Sequence, residues 1–425
     1  MLECTCRNVL LFLVVVSIGS VILSDCGSPE DQLFCDDPLG CVEVPAGAPV
    51  RIGVLQTLSG KIGPLGEEQV RGLQLALEER DGQVSGHPVA IQREDTGCTA
   101  EGGANAALKV IADPQTVALF GTTCSGAASA ASQAMSEAGL TMISGNNSAP
   151  FLTSMGGKEG PYHYPGYFRT SFNEENSGRA AAVFAYRKLG IRRAATINDD
   201  DIYTRGLTDG FATKFTRLGG TIILDAAINK GDADMEPVLT AVHESGARLL
   251  FFPLFQPEGT RILRQARAMT EFDRTLLMSD GALIEDSFLR SVGDLARGMY
   301  FVGPAVPDTP GARELEKRYV GRYGRKPPTG YYLFAYDAAR LLLDGIERAT
   351  VGKAGGTLLI GRQALRRALH TMDRQDGVRG SLQCDEFGDC ATPVFHILRL
   401  DEPDSGVEGL RRNIRFSFSG SLERQ

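Results

Sequence analysis

The chain has 425 residues, of which 43% are hydrophobic and 23% charged, with a net charge of −8. That length supports two ordinary domains with full cores, and the composition is that of a folded globular protein rather than a disordered or multi-pass membrane chain. The acidic balance without a basic cluster argues against a nucleic-acid partner. The 5 histidines are scattered, so a metal centre built on imidazole is not expected.

Met1 to Ser24 has the pattern of an export signal, with Arg7 at its start and the apolar run Val9 to Leu23. Such a run suits a signal core and is short for a bilayer span. Leu23-Ser24-Asp25-Cys26 resembles the lipobox of bacterial lipoproteins, although Asp25 stands where that pattern prefers a small residue. Residues 1–25 are therefore expected to be a signal peptide and Cys26 the lipidated residue, with plain secretion or an uncleaved anchor as the rival. Residues 26–49, rich in Asp, Pro and Gly, read as a tether with one small disulfide loop. Cleavage and acylation would remove Cys4, Cys6 and Cys26 and leave an even set for an oxidising compartment. The nearest pairings are Cys35–Cys41, Cys98–Cys124 and Cys384–Cys390. Other connectivities remain open.

A strand is expected at Val50 to Leu55, then an amphipathic helix over Glu67 to Arg80, a strand at Val89 to Ile91 and a helix over Ala104 to Ile111. The stretch Val117 to Leu152 carries the most information. The apolar run Val117–Phe120 ends in Gly121-Thr122-Thr123-Cys124-Ser125; an Ala-rich helix follows. A second run, Leu140–Ile143, ends in Ser144-Gly145-Asn146-Asn147-Ser148. In an open parallel sheet both polar turns lie at the carboxyl ends of the strands, where such sheets bind ligands. Ser125, at a helix start, suits a small anion such as a carboxylate.

The βα rhythm restarts after Phe168-Arg169-Thr170. It continues with helices over Gly178 to Leu189, Thr204 to Leu218, Glu236 to Glu244 and Gly259 to Met269. Strands alternate with them at Ala194 to Ile197, Thr221 to Ala226, Leu249 to Phe252, Leu276 to Met278 and Met299 to Val302. Helices Gly311 to Tyr323, Tyr331 to Ala349 and Arg362 to Leu369 come next, then a hairpin over Ser381 to Leu400 clamped by Cys384 and Cys390. The tail beyond Pro403 is weakly patterned.

No catalytic signature is present. His243-Glu244 begins like a zincin motif, but Ala247 holds the second histidine position. Asp199-Asp200-Asp201 reads as a solvated acidic loop rather than a metal site. Tyr203, beyond a strand end, is placed to stack on or bond a ligand. Phe255 and Gln256 follow another strand, and Asp280 another. Asp280 can cap a helix or hold an ammonium through a charge-assisted hydrogen bond. Polar turns suited to a carboxylate on one unit and an acid on the other fit a zwitterion held between two lobes.

From Arg51 to Leu400 the chain resembles the bacterial leucine/isoleucine/valine-binding proteins, the type I periplasmic binding proteins that feed ABC importers. The carrying segments are RIGVLQTLSGKIGPLGEE, QREDTGCTAEGGANAALKVI, ALFGTTCSGAASAA, TMISGNNSAPFLT, YFRTSF, INDDDIYTRGL, ILRQAR, LMSDGA and FAYDAARLLLDGI, in matching order and spacing. The resemblance implies an α/β fold of two Rossmann-like lobes, with parallel central sheets joined by three crossovers. Residues 50–170 plus 303–378 would form the N-terminal lobe and 171–302 plus 379–412 the C-terminal lobe.

By the same resemblance, Cys98 and Cys124 match the family's disulfide, and Ser125 the serine that holds the ligand carboxylate. Ser148 matches a threonine at the ligand's polar head, with Asn146 and Asn147 in its loop. Tyr203 matches a second-lobe tyrosine and Asp280 the acid, usually Glu, that pairs with the ammonium. Leu65 and Phe255 fall at side-chain pocket positions; Gln256 and the asparagines make that pocket more polar than an aliphatic ligand needs. The implied protein is not an enzyme and uses no cofactor. It is a monomeric, extracytoplasmic, lipid-anchored solute-binding component of an ABC importer, partnered by permease subunits and binding a branched-chain or related amino acid. The alternative is a sensor or regulator subunit that binds an amide, urea or aromatic acid.

Overall fold

The computed structural model describes residues 34–419. The expected signal peptide, Cys26 and the start of the tether lie outside them. Among the described residues no helix is long and apolar enough to cross a membrane.

Two sheets organise the chain. The first runs, in spatial order, Gln83–Val84, His87–Asp95, Val50–Gln56, Thr116–Gly121, Met142–Ser144 and Tyr167–Arg169. All of its pairings are parallel except the Gln83–Val84 hairpin. Helices cover both faces, as a parallel sheet requires. Gly63–Glu78 packs with Tyr331–Arg348 on one face and Ala100–Ile111 with Ser125–Glu137 on the other. Small residues permit this closeness. A Cβ on Gly72 would stand 2.6 Å from that of Ala335, and one on Gly103 2.1 Å from the Ala127 carbonyl oxygen.

The second sheet runs Thr221–Ala227, Arg193–Asn198, Leu249–Phe251, Leu276–Ser279, Tyr300–Pro304, Val394–Arg399 and Ile414–Ser419. Its first five strands pair in parallel and its last two join through antiparallel pairings. Helices Glu175–Val183 and Ile202–Arg217 cover one face; Glu236–Ser245, Glu258–Ala268 and Asp286–Val292 cover the other. Fully buried aromatics such as Phe211, Phe251 and Phe301 fill these layers. Each contributes about 1.5–3 kcal/mol of burial.

The chain leaves the first lobe after Arg169, returns after Pro304 to pack helix Tyr331–Arg348 on its sheet, and crosses again before Val394. The protein is thus two Rossmann-like lobes joined by three crossovers.

Three features differ from the sequence reading. Cys41–Val44 is no tether: it pairs with Thr357–Gly361, and Val42 and Val44 are buried, because two alternating valines suffice for an edge strand. Ser381 to Leu400 is a hairpin only at its disulfide turn, where Leu382 bridges Ala391 and the Gln383 N–H donates to the Cys390 carbonyl at 2.9 Å. Leu382–Gln383 pairs with Asp373–Arg374, whereas Val394–Arg399 pairs with Tyr300–Pro304 and Ile414–Ser419. The tail is patterned after all, and its strand carries the second sheet past residue 412, with Phe418 buried.

Cysteines bond as Cys35–Cys41, Cys98–Cys124 and Cys384–Cys390. The 26-residue separation of the second is the longest; closing such a loop is worth on the order of 3 kcal/mol. The Cys384–Cys390 loop is held against the first sheet. The Asp389 carboxylate accepts from buried Arg169 at 2.5 Å and from Thr153 and Asn173, both at 3.1 Å.

Candidate ligand-binding site

The carboxyl ends of the two sheets face each other across a cavity of about 40 Å³. Leu65, Thr123, Ser125, Asn146, Ser148, Tyr203 and Phe255 are on its lining, joined by Glu285, Thr329 and Tyr331. Strand-end turns place the first group there. Helix Ser125–Glu137 begins with Cys124 as N-cap, and no side chain caps it. The Ser125 hydroxyl instead accepts from the Ser148 and Ala149 backbone N–H groups at 3.3 and 3.2 Å, which stitches the two polar turns together.

Below this surface Arg169 is wholly buried. It donates to the Ala149 carbonyl at 2.7 Å and to the Asn147 carbonyl at 3.4 Å. The turn carrying Ser148 is therefore fixed from beneath.

The other wall is acidic. Asp280 is fully buried; it accepts from the Tyr203 hydroxyl and, at 3.2 Å, from the Ala282 N–H. Burial pushes its carboxyl up to about 6, against the pull of those hydrogen bonds. Glu174, also buried, is held well above the usual carboxylate range, first by burial and then by the charge of Asp280. Tyr203 and Tyr331 are raised well above 10 by burial and by the same two carboxylates. Burial raises Glu285 as well. The Tyr203 and Phe255 rings meet at 5.2 Å.

Two buried acceptors, one Glu174 carboxylate oxygen and Asn146 Oδ1, have no hydrogen-bond partner. Buried polar groups are nearly always satisfied in folded proteins. Crowded carboxylates on one wall, with the unpartnered Asn146 oxygen facing them from the polar turn, call for a cationic donor; hydroxyls and a helix start on the polar-turn wall suit an anion.

The structure brings Leu65, Ser125, Asn146, Ser148, Tyr203 and Phe255 onto one lining, with Asp280 directly behind Tyr203. It places Asn147 and Gln256 elsewhere. Asn147 lies beneath the lining, where its side chain bonds the Thr122 backbone N–H at 2.9 Å and the Tyr167 hydroxyl at 3.2 Å. Gln256 points its amide at Glu285 and Ser287, and so holds a lining acid rather than lining the cavity itself. The acidic loop is structural: Asp201 caps helix Ile202–Arg217 and pairs with Lys230, and Asp199 accepts from Thr204.

Sequence reasoning missed Glu174, Glu285, Thr329 and Tyr331. Glu174 had a signal, an acid just past the Tyr167–Arg169 strand end. Thr329 and Tyr331 had none, since they enter from a helix start on the returning chain.

A family profile described as periplasmic binding protein matches residues 49–394. Leu/Ile/Val-binding protein homolog 3 of Brucella melitensis is 24% identical over 368 residues, covering 86% of this chain and 94% of that protein. Among solved structures, a leucine binding protein, LivK, from Thermotoga maritima superposes with a TM-score of 0.71 at 25% identity, covering 83% of this chain and 96% of its own. An ABC transporter solute binding protein from R. palustris, in complex with benzoate, superposes at 0.70 with 22% identity, covering 83% and 93%.

Proposed function

The chain belongs to the periplasmic binding protein family, and we propose that it captures an amino acid, branched-chain or related, between its lobes and delivers it to an ABC permease. The family is one of solute binders, not enzymes, and works outside the cytoplasm. The observation that carries the reading is the divided polarity of the cavity: Ser125 and Ser148 on one wall, Asp280 and Glu174 behind the other. A zwitterion satisfies both. The ligand carboxylate takes the Ser125 helix start, and the ammonium takes Asp280, Glu174 and the Asn146 oxygen. Leu65 and Phe255 meet the side chain. Because the ligand touches both lobes, it binds the closed arrangement more tightly and draws the equilibrium towards it.

A thermal-shift panel tests this on protein unfolded and refolded to remove bound ligand. Ligand bound to the native state raises its melting temperature by mass action. The expected result is a rise with one group among the twenty amino acids. A rise confined to urea, short amides or benzoate would overturn the amino-acid reading, and the transport assignment would have to be rebuilt around that ligand.

The acid near 6 adds a pH signature. An ammonium binds ionised Asp280, which is mostly protonated at pH 5 and mostly ionised at pH 7.5. The ligand's own ammonium and carboxylate do not titrate in that window. Affinity should therefore fall roughly tenfold from pH 7.5 to pH 5. Equal dissociation constants by calorimetry at both pH values would remove Asp280 from the ammonium site.

A further inference from the structure

Beside the first cavity lies a much larger one, about 640 Å³ against about 40 Å³. Gly281, Thr329 and Tyr331 border both. The Tyr331 hydroxyl closes the seam: it stands 3.1 Å from where a Gly281 Cβ would be. The walls come from both lobes. Thr329 to Phe334, at the start of helix Tyr331–Arg348, face Ile284, Leu398, Val407 and Arg411.

Most charges on this lining are spoken for. Arg313 pairs with Asp308, and Lys326 and Arg412 share Glu408. Asp286 accepts the Val407 N–H. Arg379 and Arg411 differ, for neither has a carboxylate within ion-pair distance among the described residues. Arg379 lies over the Phe334 and Phe172 rings, 3.6 and 5.0 Å from their centroids. One of its Nη groups donates to the Ala305 carbonyl, and its Nε is buried without an acceptor. The Arg411 side chain makes no hydrogen bond among the described residues.

The acids that bear on these two arginines are committed elsewhere. Glu68 accepts from the Thr329 N–H and hydroxyl and the Tyr332 N–H; Asp337 accepts from the Val378 and Arg379 N–H groups. Burial lowers the Arg379 guanidinium to about 9, with Arg411 adding to the fall, and burial lowers Arg411 too. Two partly desolvated guanidinium groups on one roomy, aromatic-walled chamber present donors in the fork geometry that matches a carboxylate.

We propose that this chamber is a second ligand site, distinct from the amino-acid cavity, which takes an organic carboxylate with an apolar or aromatic body. Arg379 and Arg411 hold its carboxylate, and Tyr331, Tyr332 and Val407 receive its body. Since its walls belong to both lobes, the occupant favours the closed arrangement and couples to the first cavity through the Tyr331 seam.

Saturation-transfer NMR with benzoate and hexanoate as probes tests this on refolded protein, with thermal melts to confirm that each variant is folded. Binding is expected in the unmodified protein and in Ser125→Ala, and at least tenfold weaker in both Arg379→Gln and Arg411→Gln. Arg411→Lys, which keeps the charge without the fork, should be intermediate. If neither probe binds, if binding survives both glutamine variants, or if Ser125→Ala abolishes it, the second site is overturned. The last result would place the carboxylate in the first cavity.

Discussion

Replacing Asp280 with Asn is expected to weaken amino-acid binding strongly and, near neutral pH, to raise the melting temperature of the ligand-free protein. Asp280 is fully buried and its carboxyl is raised from 3.8 to about 6. Between those values the folded protein binds more protons than the unfolded chain. Stability contributed by the neutral acid is therefore present at low pH and is lost as pH rises through about 6. Above that window the buried charge is a net cost. Asn keeps the shape and an acceptor for Tyr203 or Ala282 while removing the charge. The gain in melting temperature should be clear at pH 7.5 and shrink towards pH 4.

Binding moves the opposite way, because an ammonium loses its charged partner. A charge-assisted bond in a closed site is worth enough that affinity should drop roughly 100-fold. Calorimetry and melts on one preparation read both effects. An unchanged dissociation constant would end the ammonium role, and a melting temperature lowered equally at both pH values would mean that the carboxylate stabilises the fold.

Gly206→Leu is expected to hold the lobes apart. Gly206 sits on helix Ile202–Arg217 of the second lobe, and a Cβ there would stand 2.6 Å from Cδ of Pro150, which follows strand Met142–Ser144 of the first sheet. A proline ring cannot give way as a flexible side chain does, so the added bulk must open the gap. Gly126 makes a similar approach, 2.9 Å from the Asp201 carboxylate. With closure blocked the ligand meets only one lobe, and apparent affinity falls with the closed fraction, by about tenfold or more. The larger radius of gyration should appear by X-ray scattering, without a matching loss of melting temperature. Unaltered scattering and affinity would show that the lobes close without that contact.

Much of this was legible. Short continuous apolar runs located the strands at Val50–Gln56, Thr116–Gly121, Arg193–Asn198 and Leu276–Ser279, each a buried run between helical periodicities. Strand-end logic then found Ser125, Ser148, Tyr203 and Phe255, because in a parallel sheet every such turn opens on the same edge. Asn147 and Gln256 show where it stops. Both sit in the correct turns, yet one faces inward to Thr122 and Tyr167 and the other aside to Glu285 and Ser287. Neighbours in sequence share an edge, but each side chain's direction is set by what packs on it.

By itself the sequence determined two parallel α/β units, the polar turns that meet between them and the cysteines able to bridge locally, because these follow from periodicity, turn chemistry and spacing within short stretches. Tertiary structure decided the rest. It set Glu174 beside Asp280 and Tyr331 against Gly281. It also left Arg379 and Arg411 without an ion-pair partner among the described residues, and it set the Cys384–Cys390 loop onto Arg169. Burial and partner choice, which fix charge state and affinity, come from segments far apart in the chain. They exist only once the crossovers have brought those segments together.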